Sequence, residues 1–229
     1  MRKSGIIIII GLAVLSMAVM TASNGLKEDA SKAIKLPEPR TDGNFSVEKA
    51  LDERRSIRTF GNQSLTLDEV SQLLWACQGV TDDKGHRTAP SALGIYPLQV
   101  YLLAGNVTGL PTGVYQYSPQ GHNLTVVAQG NIDEYYNASA GFEGWIKTAP
   151  AIFVITGDFN RTSQMPGRDL SPWVYIDAGA AAENLLLEVV SIDLAATYTA
   201  GFNANKTKEL LGLAPGEETI GVLPVGRKA

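Results

Sequence analysis

The chain has 229 residues, 45% hydrophobic and 18% charged, with 19 Lys+Arg against 23 Asp+Glu for a formal net charge of −4. That apolar share exceeds what a disordered chain carries and can bury a sizeable core, with one domain as the default. The mild acidity, without a basic tract, excludes a nucleic-acid partner, whose phosphates call for Lys and Arg. One cysteine, Cys77, excludes an internal disulfide and a cysteine zinc cage, and His86 and His122 have no metal-binding spacing.

Residues 1–22 read as an export address. Arg2 and Lys3 open it, residues 6–20 carry no charge, and Thr21, Ala22 and Ser23 are small enough for a signal peptidase. Met20 stands at the −3 position of a cut after Ala22, so a retained N-terminal anchor is the alternative. Either way the domain is expected outside the cytoplasm, secreted or held on the outer face of the membrane. Removing residues 1–22 takes two positive charges and leaves 17 Lys+Arg against 23 Asp+Glu, a net charge of −6.

Seven of the eleven asparagines open N-x-S/T triplets: Asn44, Asn62, Asn106, Asn123, Asn137, Asn160 and Asn205. With 30 Ser and Thr in 229 residues, chance places about one or two. The excess points to an N-glycosylating exterior.

Residues 23–43 are charged and proline-bearing without an apolar period, which predicts a tether and a folded domain over 44–229. Ser46 caps a helix running to about residue 55. Thr66 and Glu69 form a capping box for a second helix. Its apolar residues Val70, Leu73, Leu74 and Cys77 repeat at helical spacing up to Gly79, so Cys77 faces inward as an inert thiol. Strands are predicted over 99–104, 113–117 and 124–128, with residues 119–122 as a turn in which His122 is solvated. Residues 131–147 read as a helix broken at Gly141, and 151–156 as a strand covered on both faces. Ser171 and Pro172 start the longest helix, to about residue 191, with a small-residue stretch over 178–182. A strand over 194–199, a helix over 203–211 ending at Gly212 and a strand over 219–225 complete an α+β domain.

Three segments carry the chemistry. Glu53-Arg54-Arg55-Ser56-Ile57-Arg58 sets three guanidiniums and a hydroxyl where a helix ends, a donor set suited to phosphate oxygens, although a charge run alone reads as a solvated face. Arg87-Thr88-Ala89-Pro90-Ser91-Ala92, followed by Tyr96-Pro97, suits a wall against a flat ring, or else a plain loop. Tyr198-Thr199-Ala200-Gly201-Phe202 ends a strand at a glycine that can bring its N–H close to a ligand.

Together with Leu73-Leu74-Trp75-Ala76-Cys77-Gln78-Gly79, Gly113-Val114-Tyr115-Gln116-Tyr117, Asp177-Ala178-Gly179 and Leu223-Pro224-Val225-Gly226, these segments resemble the nitroreductase superfamily over residues 45–227. Within it they most resemble the SagB-type dehydrogenase branch. The resemblance implies an α+β fold with a central, mainly antiparallel sheet flanked by helices. It also implies a homodimer that binds FMN noncovalently at two sites between its subunits. On that likeness Arg54, Arg55 and Ser56 hold the ribityl phosphate, and Arg58 lies at the N1 and O2 side of the flavin. Pro90, Ser91 and Ala92 approach the ring from the partner subunit, Ala200 and Gly201 set a backbone N–H toward N5, and Arg227 reaches the phosphate.

The implied activity is an FMN-dependent oxidoreductase passing hydride through flavin N5 by a ping-pong mechanism, with no catalytic side chain and no metal. Its electron donor is NAD(P)H or a membrane or soluble carrier. The azoline dehydrogenases of the SagB branch carry a Lys-Tyr pair ahead of the long helix, and residues 160–173 have none, which disfavours that reaction. A nonenzymatic flavin-binding module on the same fold is the alternative function.

Overall fold

A computed structural model describes residues 33–141, 143–162 and 169–229. The export address 1–22 and the tether residues 23–32 lie outside the described residues.

In chain order the elements are β1 (Ile34–Lys35), α1 (Val47–Glu53), β2 (Phe60–Gly61), β3 (Leu65–Thr66), α2 (Leu67–Gln78), β4 (Leu98–Ala104), β5 (Val107–Thr108), β6 (Gly113–Ser118), β7 (Asn123–Gln129), α3 (Asp133–Ala140), β8 (Ala151–Asp158), α4 (Ser171–Ser191), β9 (Leu194–Ala196), α5 (Ala204–Leu211) and β10 (Glu217–Lys228). Short 3₁₀ turns cover Ala92–Gly94, Gly144–Thr148 and Phe159–Arg161. The main sheet is antiparallel, in the order β1-β7-β6-β4-β8-β10-β2, with β9 also on β10. β3 and β5 form a separate short parallel pair.

Alternation along the two central strands makes the layers. Val100, Leu102, Phe153 and Ile155 join the cluster that buries α2 and α4, whereas Tyr101, Leu103, Ile152 and Val154 join the one that buries α3 and α5. Each such fully buried side chain contributes about 1.5–3 kcal/mol of transfer free energy. α2 begins as expected: Thr66 Oγ1 accepts from Glu69 N at 3.2 Å, and Glu69 Oε2 accepts from Thr66 N at 2.8 Å. α4 starts at Ser171 with Pro172 in its first turn, and buried Ala178, Ala181 and Ala182 let it lie close to its neighbours. Cys77 is fully buried, and burial pushes its thiol up to about 12.

Several expectations need correction. The stretch 33–43 is not free tether: Ile34 pairs with Leu124, Leu36 is buried, and Gln72 brackets Arg40 by accepting from its N–H and donating to its carbonyl. His122 is not solvated. It is 9% exposed, with Nδ1 2.9 Å from the Tyr117 hydroxyl and Nε2 2.7 Å from Ser71 Oγ and 2.9 Å from the Pro37 carbonyl. The N-terminal segment laid along β7 closes over the turn and buries the ring. The segment 131–147 is a helix only to Ala140, because Gly141 takes φ +51° and hands over to a 3₁₀ turn. The strand expected over 194–199 stops at Ala196, and Thr199 makes a single bridge to Val222. β10 is longer than predicted, since its end runs past β8 to take β2 on one edge and β9 on the other.

Candidate functional site

Ser46 Oγ caps α1 by accepting from Lys49 N at 3.2 Å, and the helix ends at Glu53. Arg54 then turns to an extended backbone. Arg55 folds back, and its Nη1 donates to the carbonyls of Asp52 and Arg54, each at 2.7 Å, satisfying oxygens that the helix end leaves open. Ile57 N donates to Ala196 O at 2.9 Å and pins the next residues along β9. Arg54 Nε stands 3.6 Å from Glu183 Oε1 of α4, a half-exposed pair of small worth. Ser56 and Arg58 are exposed, and among the described residues their side chains make no hydrogen bond. The Arg58 guanidinium lies 6.0 Å from the Trp145 ring centre, and the Phe60 ring lies 6.4 Å from the same tryptophan.

The third segment meets this group through the 3₁₀ turn. Thr199 Oγ1 donates to Glu143 Oε2 at 3.0 Å and accepts from Gly201 N at 3.0 Å. Glu143 and Trp145 therefore gather Arg58 and the 199–201 turn into one place. Glycine is required at 141, since a Cβ there would sit 2.0 Å from the Gly201 carbonyl oxygen. Of the two amides expected to face a ring, Gly201 N–H is taken by Thr199, and Ala200 N–H has no partner among the described residues.

The second segment is tied elsewhere. Ser91 Oγ donates to Asp177 Oδ2 at 2.5 Å, Ala92 N to Asp177 Oδ1 at 3.4 Å, and Tyr96 N to Ser91 Oγ at 2.9 Å. Burial raises the Asp177 carboxyl above its ordinary value, while the bonds from Ser91 and Ala92 oppose the rise. Asp177 and Glu183 are six residues apart on α4, about 9 Å along its axis and on different faces. No hydrogen bond or ring contact among the described residues joins Pro90, Ser91 or Ala92 to the Arg54–Gly201 group. Within one chain the expected site is thus two separate parts. Leu93, at φ +56°, is exposed, as are Val47 and Leu51 of α1 and Tyr175 and Ile176 of α4.

Arg227 corrects a further expectation. Its Nη1 and Nη2 fork onto the Glu69 carboxylate at 2.6 and 2.9 Å, and Nη2 also reaches Ser64 O at 3.2 Å. A guanidinium neutralised in this way ties β10 to the start of α2 and is not a free phosphate ligand. Glu143 and Trp145 escaped notice in the sequence because a single acid and a single tryptophan in a broken helix carry no pattern. Asp177 offered a signal, an acid inside a small-residue helix that needs a buried partner.

The nitroreductase family profile matches residues 51–227. A Methanocaldococcus jannaschii protein described as a nitroreductase is 32% identical over 184 residues, 80% of this chain and 92% of its own length. The crystal structure of a protein described as a nitroreductase from Ralstonia eutropha JMP134 is similar at a TM-score of 0.75 and 30% identity, covering 88% of this chain and 92% of that one. A chain of the E. coli microcin synthetase McbBCD complex shares the fold alone, with a TM-score of 0.67 at 18% identity over 97% of this chain and 85% of that one. With the sheet order and the matched residues in view, the chain belongs to the nitroreductase family.

Proposed function

We propose that this oxidoreductase-family protein is an exported, FMN-dependent homodimer, its sites completed between two copies of the chain. The observation that carries the reading is the stretch Arg54–Arg58 pinned to β9. It presents two side chains without hydrogen bonds among the described residues, Ser56 and Arg58, and two guanidiniums only partly engaged, Arg54 and Arg55. This donor set fits FMN, whose phosphate takes forked guanidinium and hydroxyl donors and whose pyrimidine edge takes a cation. When bound, the flavin supplies hydride transfer.

The chain's own residues bind and orient. Arg54, Arg55 and Ser56 hold the phosphate. Arg58, steadied beside Trp145, places a fixed positive charge where negative charge develops on the pyrimidine side. Thr199, anchored on Glu143, sets the backbone turn that offers the Ala200 amide. Asp177 holds the 90–96 loop by Ser91, so that Pro90, Ser91 and Ala92 are rigid when they reach a second copy's site. The exposed apolar residues of α1 and α4, together with Leu93, are the surface that the second copy covers. Export is supported by the acceptor asparagines, none of which is buried.

The test is a titration of flavin-free protein with FMN. Arg54→Ala removes charge-assisted hydrogen bonds and should weaken binding by about 1.5–3 kcal/mol, roughly tenfold to 150-fold. Unchanged affinity would place the phosphate elsewhere. Steady-state rates with a donor and an acceptor should give parallel double-reciprocal lines, and intersecting lines contradict the ping-pong order.

A further inference from the structure

A polar cavity of about 360 Å³ opens where β4 begins and β6 ends, and it shares no residue with the Arg54–Gly201 group. Its wall carries Arg87, Arg161, Tyr117, Gln78, Gln99 and Gln116, and among the described residues no Asp or Glu lines it. Arg87 comes from the loop after α2, and Arg161 from the 3₁₀ turn that follows β8. These residue positions are 74 apart in sequence, yet both arginines line one space, and the Arg161 charge acts on Arg87.

Arg87 is held in place. Its Nη1 donates to Oε1 of the buried Gln78 at 2.7 Å, and its guanidinium lies 4.7 Å from the Tyr96 ring centre. Its Nε and Nη2 donors have no hydrogen-bond partner among the described residues, and the Arg161 side chain has neither a hydrogen bond nor an ion pair there. Burial, and next the Arg161 charge, lowers the Arg87 pKa, so each cation feels the other. Two guanidiniums facing one polar space without a carboxylate repel, and an oxyanion between them removes that repulsion while using the fork donors left open.

We propose that this cavity is a second binding site, for a compact organic anion whose carboxylate or phosphate-ester group is held by Arg87 and Arg161 and whose polar body meets the glutamine amides. The volume is near the lower end of ligand pockets, which suits a small metabolite-sized anion better than a nucleotide.

The full chain saturated with FMN is titrated by calorimetry with inorganic phosphate and, separately, with succinate, at constant chloride ionic strength. Saturable binding is expected for at least one probe, and the tighter of the two names the head group. Arg161→Gln should weaken it at least about tenfold, the loss of one charge-assisted contact. Arg161→Lys, which keeps the charge and loses the fork, should fall between. Arg54→Ala, titrated without FMN, should bind the probe as the wild type does, which keeps the result readable if the cofactor reading fails. Absence of saturation by both probes, equal affinity in Arg161→Gln, or loss of binding in Arg54→Ala would overturn the proposal.

Discussion

Replacing Asp177 with alanine removes the acceptor that holds the 90–96 loop to α4. The Ser91 hydroxyl donates to this carboxylate at 2.5 Å, a charge-assisted bond worth about 1.5–3 kcal/mol, and the Ala92 amide at 3.4 Å adds little. Against this, burial disfavours the ionised carboxylate, and the alanine variant recovers that cost. The net loss is about 1–2 kcal/mol, and at about 2–4 °C per kcal/mol for a domain of this size the melting point falls by about 2–8 °C. Urea denaturation at fixed protein concentration should show a lower midpoint with an unchanged slope. Hydrogen exchange at the Tyr96 amide, which donates to Ser91 Oγ at 2.9 Å, should quicken.

The pH dependence has a definite sign. The folded-state pKa of Asp177 is raised above its ordinary 3.8, so the folded protein takes up this proton before the unfolded chain does. Wild type therefore gains stability relative to the variant as pH falls through the folded pKa toward 3.8, and the gap between them widens. Equal stability at neutral pH, or a gap that narrows on acidification, would refute the account of this contact.

Burial, helped by Lys35, holds the His122 pKa below 6.5, against the opposing pull of the Pro37 carbonyl and Glu38, so burial favours the neutral ring. Stability should be full above pH 6.5 and decline as pH falls from there through the folded pKa, and His122→Gln should flatten that limb in denaturation measured at stepped pH. Gly141→Ala forces a Cβ to within 2.0 Å of the Gly201 oxygen at a positive φ. It should cost at least about 1–3 kcal/mol of stability and weaken FMN binding by moving the 199–201 turn, read by thermal melts and flavin titration. Arg227→Gln breaks the fork on Glu69 and should destabilise by about 1.5–3 kcal/mol while leaving FMN affinity within about twofold. A large loss of affinity would return Arg227 to the phosphate.

Local chemistry was readable in the chain. The Thr66–Glu69 capping box, the Ser171-Pro172 start of α4 and the apolar run of β8 each depend on residues within a few positions, and each formed where expected. The arginine stretch was likewise visible as a donor set at a helix end. What escaped depends on partners far along the chain. Arg227 meets Glu69 across 158 residues, Thr199 meets Glu143 across 56, and His122 is buried because Pro37, 85 residues earlier, lies over it. No local period encodes those meetings. The separation of Ser91 from Arg54 within one chain is equally invisible in sequence, since it follows from the two faces of α4 on which Asp177 and Glu183 stand.

The most direct test of the flavin account is the visible absorbance of the full-length protein purified from the cell that makes it. A flavin spectrum at one FMN per chain, bleached by a reductant and restored by an acceptor, is the predicted result. Colourless protein that also fails to bind added FMN would contradict it.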